Sequence, residues 1–177
     1  MEHELQNILN SSASSINVLI AYGTLGFGLK AKEFCERLTQ NLPPDCKLRL
    51  DFWSLFTLRL HILAFEEEVA KTDVLIMAVH GDEDLPGNVL SWVRRWARRK
   101  PAGSGVLAAQ FHGLHKMNQE WSPAYESLRR LAQESGVDFL SQFIEPASDP
   151  LDNSTVWSAF SGQSCVTTET NERRCST

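Results

Sequence analysis

The sequence predicts an α/β fold: a three-layer α/β/α domain around a five-stranded parallel sheet, strand order 2-1-3-4-5. Three observations predict it. The stretch Ile16–Lys30, INVLIAYGTLGFGLK, reads as an apolar strand, a turn with three glycines and the start of a helix. The segments Asp73–His80 (DVLIMAVH) and Gly105–Phe111 (GVLAAQF) are nearly continuous apolar runs, the pattern of strands covered on both faces. Strand and helix patterns alternate five times, and right-handed crossovers then place helices on both sides of one sheet.

Strand one is Ile16–Tyr22. Helix one is expected at about Lys30–Gln40, because Ala31, Phe34, Cys35 and Leu38 share one face and Pro43-Pro44 blocks continuation. Strand two is Lys47–Trp53. Its Leu48, Leu50 and Phe52 alternate with polar residues, which suits an edge position. Helix two is expected at about Leu60–Lys71, with Ile62, Phe65 and Val69 on one side. Helix three is about Asn88–Arg99, following Pro86-Gly87. Helix four opens at Ser122-Pro123, a capping serine with proline at the first helical position. It buries Tyr125, Leu128 and Leu131/Ala132 and stops at Gly136. Strand five is short, Val137–Leu140. An alternating edge strand followed by buried runs fits the order 2-1-3-4-5.

The chain has 177 residues, enough for one domain. Apolar residues at 42% and charged residues at 22% match an ordinary globular protein. Residues 1–15 read as a flexible arm, 16–145 as the domain, and 146–177, rich in Ser, Thr, Asn and Asp, as a disordered tail. No apolar run approaches the roughly 20 residues that span a membrane. Glu2 and Glu4 stand where an export signal carries positive charge, so the expected location is cytoplasmic. Cys35, Cys46, Cys165 and Cys175 form no CxxC pair and read as reduced thiols. A net charge of −5 argues against nucleic acid as the main partner.

In such a sheet ligands bind beyond the carboxyl ends of the strands, where strand order reverses. Three loops meet there: Gly23–Leu29, Gly81–Gly87 and His112–Trp121. The glycines of the first let backbone N–H groups approach an anion at a helix N-terminus. Tyr22, His112 and Trp121 are candidates to stack on a flat ring, with Trp121 alternatively anchoring the start of helix four. Asp82, Glu83 and Asp84 make the second loop acidic, with Lys30 as the nearby cation in sequence. His80, His112, His115 and Asp82 carry metal-ligating groups, but their spacing is not that of a defined metal motif, and no metal is assigned.

The first loop, Tyr22-Gly-Thr-Leu-Gly-Phe-Gly28, resembles that of the flavodoxin family, whose Tyr-Gly-Ser/Thr start and following Thr-Gly-x-Thr hold the phosphate of FMN. Tyr22, Gly23, Thr24 and Gly26 match. The remaining hydroxyl positions hold Leu25 and Phe27 or Leu29. Leu85-Pro86-Gly87 is similar, more loosely, to the NADPH-dependent FMN reductases, without their Lys-Asn-Ala continuation. The resemblance implies a flavodoxin-like fold over residues 16–140 and FMN as cofactor. The candidate cofactor-binding residues are Tyr22, Gly23, Thr24, Gly26, Gly28, Gly81, Asp82, His112 and Trp121.

Two functions stay open. The reading favoured is a non-catalytic interaction or regulatory module, since the phosphate loop lacks hydroxyls and no catalytic constellation stands out. The alternative is an FMN-binding electron-transfer protein or small quinone reductase. A phosphoacceptor domain would need acidic residues after strand one and an Asp at position 80, where Tyr22-Gly23 and His80 stand. No Gly-x-Ser-x-Gly elbow follows any strand. The run Arg94–Lys100 is the densest charge in the chain. Its outward Arg94/Arg98 and Arg95/Arg99 pairs offer a face for an acidic protein partner or a second copy.

Overall fold

The computed structural model describes residues 15–39, 46–61, 66–101, 104–113 and 122–145. The elements are β1 (Ser15–Tyr22), α1 (Leu25–Thr39), β2 (Lys47–Ser54), α2 (Leu55–His61), α3 (Glu66–Lys71), β3 (Val74–His80), α4 (Gly87–Arg98), β4 (Val106–His112), α5 (Pro123–Ser135) and β5 (Asp138–Ile144). All four strand pairings are parallel, and the order is β2-β1-β3-β4-β5. This is the flavodoxin-like arrangement of a doubly wound sheet. The expected arm and tail, apart from Ser15, lie outside the described residues.

Crossover handedness explains the two cores. The step from β1 to β2 runs opposite to the steps β2–β3, β3–β4 and β4–β5, so a right-handed connection puts α1 on one face and the later helices on the other. Under α1, Ile16, Val18 and Ile20 pack with Phe34, Cys35, Val74, Ile76 and Val106. On the opposite face, Leu19, Leu75, Met77 and Leu107 pack under Leu58, Val89, Val93, Trp96 and Leu128. β4 is buried at every position and β3 at all but His80, as their apolar runs predict. β2 shows no fully buried residue, consistent with its edge place.

Polar anchors set the base of the sheet. Asp73 accepts from the Asn17 backbone N–H (2.9 Å) and Nδ2 (3.1 Å) through Oδ2, tying β1 to the entry of β3. The buried Trp96 indole donates to the Thr72 carbonyl at 3.0 Å. α5 is capped as its sequence predicts. Ser122 Oγ accepts from the Tyr125 N–H at 3.2 Å, and Gly136 ends the helix in the left-handed region, φ 70°.

Three expectations are corrected. Helix one begins at Leu25, not Lys30, because Thr24 caps it: its carbonyl accepts from Phe27 and Gly28 at 3.1 Å. None of Gly23, Gly26 and Gly28 has positive φ, so the stretch is mostly first helical turn, not an irregular loop. The helix expected at Leu60–Lys71 is instead α2 and α3. Ser54 opens α2 directly after β2, accepting from the Thr57 N–H at 3.1 Å. Val69 is buried as expected, while Ile62 and Phe65 lie outside the described residues. β5 runs to Ile144, not Leu140; Phe139 and Phe143 pack against the core, so its pairing with β4 continues to His112↔Ile144.

Candidate functional site

A crevice of about 290 Å³ opens at the carboxyl ends of β1 and β3, the neighbours across which strand order reverses. Its floor is Val79, Leu85 and Pro86. One wall is Gly23, Thr24 and Phe27 from the start of α1, and the other is Leu55 and Phe56 from α2. His80, Glu83 and Asp84 form the rim.

Local chemistry places each wall. The Gly23 N–H donates to the Ala78 carbonyl at 2.9 Å, carrying the β1–β3 pairing one residue past the strand. Thr24 then starts α1, leaving the first-turn N–H groups at the crevice edge. Phe56, 70% exposed, is the most exposed large apolar side chain among the described residues and projects beside the crevice. Leu85 is drawn down into the core with Val89, which holds the acidic loop 82–84 outward.

Around the β3 and β4 ends, three rings form a stack. Phe27 lies face to face on His112, centroids 4.1 Å apart and 7° from parallel, and meets His80 edge-on at 5.3 Å. His80 and His112 are register partners, so both point to the α1 side. The His112 pKa is lowered to about 4, first by burial and then by the nearby charges of Lys30 and His80. His112 is 2% exposed, and its Nε2 has no hydrogen-bond partner. His80 Nδ1 and Asp82 Oδ1 are 2.8 Å apart. Gly113, φ 81°, lets the His80 ring lie on the chain, since a Cβ there would come within 2.5 Å of Cε1.

The residues expected to bind a cofactor are partly brought together. Gly23 and Thr24 line the crevice. Tyr22 packs beneath α1, and Gly28 is needed there because a Cβ would meet the Tyr22 ring at 2.9 Å. Gly26 sits in the first turn with open space around it. Gly81 is buried between β4 and α5, donating to the His112 carbonyl at 2.9 Å and accepting from Ser122 Oγ at 2.6 Å. Asp82 turns to His80, and His112 is covered by Phe27 rather than open to stacking from the crevice. Trp121 and His115 lie outside the described residues. Leu55 and Phe56 were not expected at the site. The signal that marks them is the capping pattern Ser54-x-x-Thr57, which starts a helix straight after the strand.

The arginine face holds a second hollow, about 290 Å³, lined by Ser91, Arg94, Arg95, Arg98 and Arg99. Arg94 also reaches Glu134 of α5 at 3.6 Å. Beneath it, Trp92, Val93 and Trp96 are buried as the helical spacing predicts. Among the described residues no helix is long and apolar enough to cross a membrane.

Among solved structures, the chain is similar to a flavodoxin of Streptococcus pneumonia TIGR4, at 12% identity and a TM-score of 0.48, over 80% of this chain and 90% of that one. No protein-family model and no curated protein matches it.

Proposed function

We propose that this chain is a non-catalytic interaction or regulatory module on a flavodoxin-like fold. One observation carries the reading. Phe27, which with Leu29 is one of two candidates for a hydroxyl position of the flavodoxin-like loop, turns inward and stacks on His112. The phosphate anchor then reduces to Thr24 and a helix end, beside three exposed carboxylates at 82–84. The interaction surface in this reading is the arginine hollow on α4, which suits an acidic protein partner or a second copy.

The test is the visible spectrum of the purified protein, followed by titration with FMN. The expected result is a colourless preparation and no saturable quenching of flavin fluorescence. A yellow protein with stoichiometric FMN overturns the proposal. It would support the second reading, an FMN-dependent electron carrier, which Phe56 beside the crevice and Gly23-Thr24 in its wall favour. Under the first reading, Leu25→Thr with Phe27→Thr gains FMN affinity over the parent, because it restores hydroxyls and opens the hollow.

A further inference from the structure

We propose that His80, Asp82 and Glu83 form a binding site for a divalent transition-metal ion, with zinc as the reference ion, on the rim of the crevice. One ring nitrogen of His80 and one carboxylate oxygen each from Asp82 and Glu83 lie within 4.8 Å of one another. An ion held at about 2.1 Å from each draws such atoms to roughly 3.0–3.5 Å apart, a change that side-chain rotation in an exposed loop supplies. One ligand is firmly based: His80 ends a central strand, its ring laid on Gly113 and edged by Phe27. The other two follow within three residues, so the chain needs no rearrangement to present them.

The proposal does not rest on carboxylates alone. His80, an imidazole fixed at the end of β3 against Gly113 and Phe27, is what distinguishes this cluster from an ordinary acidic loop. His80 and Glu83 also line the crevice, so a three-ligand ion there keeps coordination positions open to a small molecule or water. One imidazole nitrogen with two carboxylates suits zinc, manganese or iron(II) better than calcium, which takes six to eight oxygens. An ion would also offset the negative charge of the rim, making the crevice more receptive to anions. This goes beyond the reading of the chain as an interaction module and does not depend on whether FMN binds.

The experiment is a melting-temperature titration of the metal-stripped full chain with zinc chloride, with magnesium chloride as a parallel arm. Ligand binding to the folded state raises Tm with concentration, and a rise of several degrees is expected at about 100 times Kd. Magnesium should leave Tm nearly unchanged. His80→Ala and Glu83→Gln should each weaken zinc binding at least tenfold, while Asp84→Asn, one residue away, should change it less than twofold. Glu83→Gln lies in an exposed loop and keeps its shape, so it serves even if His80→Ala folds poorly. Cobalt(II) gives a second readout, with visible bands that Glu83→Gln diminishes. No zinc effect at ten equivalents, or equal losses in Asp84→Asn and Glu83→Gln, overturns the site; the latter would mean diffuse attraction to an acidic loop.

Discussion

His112 shows how much a fold can change one side chain. Histidine ordinarily titrates near neutrality, yet this one is sealed under Phe27, near Lys30 and His80, and its pKa falls to about 4. Between about pH 6.5 and 4 the unfolded chain binds a proton that the folded one refuses. Stability from this group is therefore full above the unfolded pKa and is lost as pH falls through that window, by on the order of 1–3 kcal/mol. Urea unfolding at pH 7 and pH 4.5 should show a smaller loss in His112→Phe than in the parent. An equal loss in both would assign the acid sensitivity to other groups. Position 112 was legible as a site candidate because it follows an apolar strand, but its cover was not. Phe27 reads locally as one more apolar residue of a helix start, and only the packing of α1 over the sheet brings it onto His112.

At the scale of elements, α1 separates two glycines that look alike in sequence. A Cβ on Gly28 would press the Tyr22 ring at 2.9 Å from Cγ, near the stiff base of that side chain, whereas Gly26 has open space. Gly28→Ala should therefore destabilise by about 1–3 kcal/mol through overpacking. Gly26→Ala should stabilise by about 0.5–1 kcal/mol, since alanine loses less backbone freedom in a helix. Opposite signs in chemical denaturation are the check, and two stabilising changes would contradict the close approach of α1 to β1. Helix α5 was readable end to end, because Ser122-Pro123 and Gly136 are local signals for its two caps. Helix α2 was missed for the converse reason: its buried Leu58 gives too short an apolar period to stand out.

For the molecule as a whole, β1, β3 and β4 contribute side chains to both cores, so neither core can dissolve while the other stays intact. Cys35 reports on the α1 face; burial, with Glu36 adding, pushes its thiol up to about 12 and makes it inert to alkylation in the folded state. Trp92 and Trp96 report on the opposite face. Mass-spectrometric labelling of Cys35 and tryptophan fluorescence should give coincident denaturant midpoints. Separate midpoints would mean that the two layers unfold independently.

By itself the sequence determined the fold class, the strand order and the end of the sheet at which the crevice opens. Those follow from apolar runs, alternation and crossover handedness, which are local patterns combined with one chiral rule. Tertiary structure alone decided that Phe27 closes over His112 and that Phe56 flanks the crevice. Each of these depends on where a side chain lands after strands and helices from separate parts of the chain have packed, and no spacing along the chain records that.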